Sequence, residues 1–383
     1  MASVVEIRNL RVFYKTRRGY IKAVDDVSLE IKQGETLGLV GESGCGKSTL
    51  GKALLGILPV GTSVRGEILY GMPSKERREV DTLELELRQE LKEMVDPSRL
   101  ANLDIRSLEG ILQEVQARSL SVQCKESLNR LLELKRAYDI TAFPKETLRK
   151  LRGEKMVLIF QDPMSRLDPL MTIRDHFVEL ITAHRDVHKD EAEASTREAL
   201  GSVGIPPSRL KNYPHEFSGG MRQRIMIAMA LVMSPEILIA DEPTTSLDVL
   251  VEAQILRLVE ELKQSFRMAL FLITHNLGVV AETCDRVGVM YAGKVVEVAE
   301  VSELFSKPRH PYTEALLSSV VHLETKALSS IEGMPPDLLN PPSGCRFHPR
   351  CPRVMEACSS VIPPTVDADG SRVACLLYGE GDE

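Results

Sequence analysis

Gly41-Glu42-Ser43-Gly44-Cys45-Gly46-Lys47-Ser48 follows the apolar run Thr36-Leu37-Gly38-Leu39-Val40 and precedes Thr49-Leu50-Gly51-Lys52-Ala53-Leu54-Leu55, which has helix-forming composition. The pattern is G-x-x-x-x-G-K-[ST], a phosphate-binding loop in the setting its chemistry requires. A buried strand ends, glycines let the backbone wrap around phosphate oxygens, and a helix opens with free N–H groups at the positive end of its dipole. Residues Gly41 to Thr49 are therefore the expected triphosphate cradle. Lys47 is placed to reach the β- and γ-phosphates, and the Ser48 hydroxyl to ligate Mg²⁺. Cys45 occupies a small-residue position and is expected to be structural.

A second candidate phosphate site lies downstream. Phe217-Ser218-Gly219-Gly220-Met221-Arg222-Gln223-Arg224 precedes the apolar helix Ile225 to Leu231, and Ile237-Leu238-Ile239-Ala240-Asp241-Glu242-Pro243 follows it. Ser218, Gly219 and Gly220 offer backbone donors at a helix start. Asp241 is expected to hold Mg²⁺ directly or through water, and Glu242 to polarise an attacking water. Two phosphate-binding helix starts in one chain resemble the ABC (ATP-binding cassette) ATPases, in which the second site completes the active site of a partner cassette across a dimer.

That resemblance names ATP as the nucleotide and extends to further elements in order. Gln161, in Ile159-Phe160-Gln161-Asp162-Pro163, matches the glutamine loop that touches Mg²⁺ and senses the membrane partner. Ser246-Leu247-Asp248 matches the loop that contacts the opposite cassette. His275, in Leu272-Ile273-Thr274-His275-Asn276, matches the switch histidine at the γ-phosphate. Tyr14 is the first choice for the aromatic that stacks on adenine, with Tyr20 as the alternative. Glu242, His275 and Lys47 form the implied catalytic set.

Glu303-Leu304-Phe305, then Pro308-Arg309-His310-Pro311-Tyr312-Thr313-Glu314-Ala315-Leu316-Leu317, together with Tyr213-Pro214-His215-Glu216-Phe217, resemble the oligopeptide/dipeptide (peptide/nickel) importer ATPases. The resemblance covers nearly the whole chain outside residues 72–143. It implies a peripheral subunit at the cytoplasmic face of the cell membrane. Its partners would be a second ATPase subunit (paralogue or self), two transmembrane permease subunits and, indirectly, an extracytoplasmic solute-binding protein. Two other classes are a soluble ABC ATPase acting on DNA or in translation, and a non-catalytic regulatory cassette. The short extra segment before Gln161 and the single cassette disfavour the first; intact Glu242 and His275 disfavour the second.

Composition agrees. The chain has 383 residues, 43% apolar and 27% charged, as globular proteins do. A formal charge of −7 argues against a sequence-independent nucleic-acid binder, so no nucleic acid is expected. No apolar run approaches the roughly 20 residues of a membrane span, and the start, Met1-Ala2-Ser3-Val4-Val5-Glu6, lacks the features of a signal peptide.

The expected fold class is α/β: a P-loop ATPase of ABC type with an antiparallel β subdomain, a helical subdomain, a helical insertion and a cysteine-rich tail. Residues 1–325 would be the cassette, with the insertion at 72–143 and the helical subdomain with its signature at 165–235. Residues 326–383 would be the tail. In the insertion Leu83, Leu87, Leu91 and Met94 share a helical face, as do Leu108, Ile111, Leu112 and Val115, then Leu128, Leu131, Leu132 and Leu134. Asp96-Pro97 should break the first of these helices.

Four of seven cysteines, Cys345, Cys351, Cys358 and Cys375, crowd the Pro-rich tail. A chain without an export signal keeps thiols reduced, so a metal centre is expected rather than disulfides. The spacing lacks the C-x2-C pairs of a zinc ribbon. It resembles the C-terminal motif of peptide-importer ATPases that hold a [4Fe–4S] cluster, with zinc or no metal as alternatives and His348 nearby. In this reading the tail folds around its centre and disorder there spares the phosphate loop.

Overall fold

The computed structural model describes residues 3–116, 121–160, 166–243, 249–319 and 331–379. β1 (Ser3–Thr16) and β2 (Gly19–Lys32) form an antiparallel hairpin, and β3 (Thr36–Val40) leads into α1 (Lys47–Leu54). β4 (Ser63–Tyr70) returns beside β1, giving a three-stranded sheet of order β2-β1-β4. Alternation in the sequence accounts for this sheet. Val5, Ile7, Leu10, Val12, Val24, Val27, Leu29 and Ile31 turn into one core while the intervening polar residues face outward.

Helices α2 (Ser74–Glu90), α3 (Pro97–Leu100), α4 (Ile105–Gln116), α5 (Val122–Tyr138) and α6 (Lys145–Glu154) separate β4 from β5 (Met156–Ile159). Then come α7 (Ile173–His184), α8 (Lys189–Ser202), α9 (Gly219–Leu231), β6 (Ile237–Asp241), α10 (Val249–Phe266), β7 (Ala269–Ile273) and α11 (Leu277–Thr283). The chain continues through β8 (Arg286–Tyr291), β9 (Lys294–Glu300), α12 (Val301–Ser306), α13 (Pro311–Ser318), β10 (Val366–Ala368) and β11 (Ser371–Val373). The second sheet has the order β10-β11-β9-β8-β3-β7-β6-β5. Pairings from β8 through β3, β7 and β6 to β5 are parallel, and β9, β11 and β10 are added antiparallel.

The parallel strands read as continuous apolar runs because both faces are covered. Leu37, Leu39, Ile237, Ile239, Phe271 and Ile273 pack toward the hairpin sheet and α1. Val40, Leu238, Ala240, Leu270 and Leu272 share the other core with Ile225 and Ile227 of α9 and Ile255 and Val259 of α10. Parallel strands also end on one edge, where ligands of such sheets bind. β3 ends at Val40, β6 at Asp241 and β7 at Ile273, so the three motifs that follow them open on the same edge.

The segment between β4 and α6 has its own core, with Val80, Leu87, Leu91, Leu108, Ile111, Leu128 and Leu131 buried and Leu83, Met94 and Leu112 packed against them. The side chain of Val115 lies outside the described residues. The first helix stops at Glu90, before the expected break at Asp96-Pro97. Leu91 and Val95 both turn into this core, the N–H groups of Met94 and Val95 donate to the Leu91 carbonyl, and Pro97 opens α3 instead. Lys135 fastens the segment to the cassette. Its buried ammonium donates to Glu67 Oε1 of β4 at 2.5 Å, Glu84 Oε1 of α2 at 2.6 Å and the Leu103 carbonyl at 2.7 Å.

The tail does not stand apart as expected. β11 pairs with β9 through Arg372–Val298 and Val373–Glu297, and Phe347 is buried against Tyr291 of β8 and Tyr312 of α13 at ring distances of 5.1 and 5.3 Å. It therefore shares the main core.

Removing the Lys135 cation strips the buried Glu67 carboxylate of its ion pair, whereas Glu84 keeps Arg88 at 3.0 Å. Lys135→Met should cost about 3 kcal/mol or more at pH 7. Burial pushes the Glu67 carboxyl above its usual range, so without Lys135 the penalty grows as pH rises above the unfolded carboxylate range. Urea unfolding at pH 7 and pH 5 checks this: the variant should lie closer to the parent at pH 5, and an unchanged midpoint at both would dismiss the role.

Candidate active site

The turn from β3 to α1 is built by close approach. Gly41 has φ +150° and Gly46 φ +113°; a Cβ would lie 2.1 Å from the Met290 carbonyl oxygen at the first and 2.0 Å from that of Ala23 at the second. Only glycine fits either contact. Gly46 precedes α1 directly, and among the described residues no side chain caps the helix, which opens at Lys47 at the positive end of its dipole. The buried Lys47 ammonium donates to the carbonyls of Gly41 at 2.8 Å and Glu42 at 3.0 Å, curled over the loop. Cys45 is buried under it, and burial pushes its thiol up, as suits a structural residue.

The ends of β6 and β7 complete the constellation. The Ser48 hydroxyl donates to Asp241 Oδ1 at 2.9 Å, bringing two oxygen atoms together. Burial pushes the Asp241 carboxyl up, opposed by the Ser48 hydrogen bond and by the charge of Lys52. Glu242 takes a left-handed backbone, φ +48°, while its N–H donates to the Ile273 carbonyl at 2.8 Å. A non-glycine residue held there is strained, and such residues concentrate at functional sites. The bend leaves Glu242 Oε1 3.3 Å from Nδ1 of His275. The loop of His275 is fixed on its far side by Asn276, which caps α11 through Gly278 N–H and Val279 N–H.

Tyr14 is half-buried and its hydroxyl donates to Thr49 Oγ1 of α1 at 3.1 Å, whereas Tyr20 is 47% exposed. Tyr14 is thus the aromatic fastened to the phosphate-loop helix. Ser218 caps α9, its Oγ accepting the Met221 N–H, and Gly219 and Gly220 form the first turn. α9 packs on α8, α10 and β5, whereas α1 packs on β1, β2, β6 and β7, so the two helix starts sit in different surroundings of one chain. Gln161 and Ser246-Leu247-Asp248 lie outside the described residues.

Two features escaped the sequence reading. The buried Gln223 amide donates to the Pro243 carbonyl, tying the signature helix to the turn after Glu242. A polar residue at the head of an apolar helix was the available signal. Glu42, expected to line the cradle, also gives its carboxylate to Arg350 of the tail, Nη1 to Oε2 at 2.8 Å and Nη2 to Oε1 at 3.0 Å. The tail therefore touches the phosphate loop, contrary to the expected independence.

All seven cysteines are free thiols, and among the described residues no group of three or more His, Cys, Asp or Glu side chains is arranged to hold a metal ion. The expected set Cys345, Cys351, Cys358 and Cys375 is thus not assembled as a metal site, and burial pushes the thiols of Cys345, Cys351 and Cys375 up. They do share one neighbourhood. The Cys345 N–H donates to the Cys358 carbonyl at 2.9 Å, and the neighbouring cysteines add slightly to the upward shift of the Cys345 thiol.

Residues 24–97 and 131–245 match the ABC transporter family model, and residues 296–358 match that of the oligopeptide/dipeptide transporter C-terminal region. The dipeptide transport ATP-binding protein DppD of Bacillus subtilis is 38% identical, over 100% of this chain and 97% of its own length. The oligopeptide transport ATP-binding protein OppD of Escherichia coli is also 38% identical, over 98% of this chain and 93% of its own. A bacterial ABC transporter cassette solved as a dimer superimposes with a TM-score of 0.54 at 21% identity, over 78% of this chain and 98% of its own, a likeness of fold. With both family models in sequence order and relatives matching end to end, this chain belongs to the ABC transporter ATP-binding proteins, in the branch that carries the oligopeptide/dipeptide transporter C-terminal region.

Proposed function

We propose that this chain is the ATP-hydrolysing subunit of an ABC importer for peptides or related small solutes, in which ATP-driven closure of two cassettes moves a permease. One observation carries the chemistry: Ser48 meets Asp241 at 2.9 Å while Glu242 meets His275 at 3.3 Å, all beside the loop that Lys47 covers. Peptide cargo is supported by the C-terminal region and by the relatives' names.

ATP would lie with its phosphates on the N–H groups of Gly41 to Thr49, its adenine against Tyr14. Ser48 and Asp241 suit a magnesium ion, since paired oxygens are the donors a hard cation takes, with Gln161 as a further ligand. The ion would neutralise phosphate charge. Glu242 orients or deprotonates water for in-line attack on the γ-phosphorus, breaking its bond to the bridging oxygen. Lys47 and His275 meet the charge that develops on the γ-phosphoryl oxygens. The second anion-binding start, Ser218 to Gly220, would close on the nucleotide of a second cassette, paralogue or self. Two transmembrane permease subunits and an extracytoplasmic solute-binding protein complete the assembly. Among the described residues no helix is long and apolar enough to cross a membrane, which suits a peripheral subunit on the cytoplasmic face. The division into a cassette at 1–325, with its insertion at 72–143 and helical subdomain at 165–235, and a tail at 326–383 belongs to the same proposal.

Four cysteines in one Pro-rich segment are soft ligands of the kind an iron–sulfur centre takes, and we assign Cys345, Cys351, Cys358 and Cys375 to one [4Fe–4S] cluster. When bound it would supply four covalent cross-links to the tail.

Glu242→Gln should preserve Mg-ATP binding and slow turnover by roughly a hundredfold or more, since the amide keeps size but takes no proton. Phosphate release by the assembled transporter is the measurement, and hydrolysis at the parent rate would remove Glu242 from the role of base. Iron and acid-labile sulfide on anaerobically purified chain should each come to about four per chain. Zinc without sulfide, or a metal-free chain with its tail folded, contradicts the cluster.

A further inference from the structure

The Arg350 guanidinium is 6% exposed and its N–H groups are taken up on three sides. Two go to Glu42, as given above; Nε donates to the Glu332 carbonyl at 2.8 Å, and Nη1 also reaches the Tyr291 hydroxyl at 3.2 Å. The Tyr312 hydroxyl accepts the Glu42 N–H at 2.9 Å. Tyr312, Tyr291 and Phe347 form one aromatic cluster, with Tyr291 and Tyr312 centroids 4.5 Å apart. One residue of the phosphate loop is thus held at both backbone and carboxylate by groups packed around the cysteine-rich segment.

The chemistry gives this clamp a purpose. A phosphate loop should not carry a free carboxylate, because that charge repels the triphosphate it serves. Glu42 carries one, and Arg350 cancels it with a bidentate pair that also fixes where the side chain points. Arg353, three residues on, pairs with Glu314 in an exposed position where such pairs contribute little.

We propose that Arg350 is a positioning residue for ATP binding: through Glu42 it neutralises the phosphate loop and holds it in its nucleotide-binding shape, so that the cysteine-rich segment sets the affinity for Mg-ATP. The proposal rests on the phosphate loop being the ATP site.

The test is Mg-ATP affinity of the full chain, purified anaerobically, by titration calorimetry in a Glu242→Gln background that suppresses turnover. Arg350→Met should weaken binding roughly tenfold, and Arg350→Lys, which keeps charge but loses the fork, about twofold to threefold. Adding Glu42→Gln to Arg350→Met should recover most of the loss, because the repelling carboxylate is gone. Arg353→Met should stay within about twofold of the parent. The proposal is overturned if Arg350→Met binds within about twofold of the parent, or if the double variant binds no better than Arg350→Met, the result a purely structural role gives. Should Arg350→Met fail to fold, Arg350→Lys decides: parental affinity overturns the clamp, and a loss supports it. Lys47→Ala is run alongside. If it too binds ATP like the parent, the fault lies in the assignment of the site and not in the clamp.

Discussion

A phosphate loop works only if its backbone lies against the strands beside it, and here that contact is made by two glycines. Gly41 presses on the carbonyl of Met290 in β8 and Gly46 on that of Ala23 in β2. These approaches pin the loop between the two sheets, so α1 opens in one place, with Lys47 over the turn and Ser48 against Asp241. The strained bend at Glu242 belongs to the same economy of space, since it lets one strand end supply both Asp241 and a carboxylate facing His275. Burial of β3, β6 and β7 on both faces makes the edge rigid enough to hold these distances.

What was legible in the sequence was local. The loop, the Asp241-Glu242 pair and the His275 strand end are each written in consecutive residues, and parallel-sheet topology delivers them to one edge without further instruction. The alternating hairpin was equally plain, because its period of two survives in a sheet with one wet face. What stayed hidden depended on contacts between distant residues. Arg350 lies 308 residues from Glu42, and nothing in Arg350-Cys351-Pro352 says that the arginine, more than its neighbouring cysteine, reaches the nucleotide loop. The tail was expected to need a metal in place of a core. It borrows one instead, through Phe347 between two tyrosines and β11 beside β9. The end of α2 is set the same way: Leu91 and Val95 turn into the core and the helix stops before the proline does.

Charge is handled differently in the helices between β4 and β5 and in the C-terminal segment. At α5, the buried Lys135 ammonium draws in Glu67, also buried, and Glu84, and serves attachment. At the tail, arginines flanking cysteines reach outward to the cassette: Arg346 to Asp25 of β2 and the Ala292 carbonyl, Arg350 to Glu42. The tail thus grips β2, the turn after β8 and the phosphate loop, three walls of one site.

Nucleotide binding by this loop should depend on the shape that its glycine contacts set. Gly46→Ala tests it most directly, since a single methyl group must then displace the Ala23 carbonyl at a positive φ. Calorimetric titration with Mg-ATP, with thermal unfolding as the control, is the measurement. The account predicts a loss of affinity of about a hundredfold or more in a chain that remains folded. Parental affinity in the folded Gly46→Ala chain would contradict it.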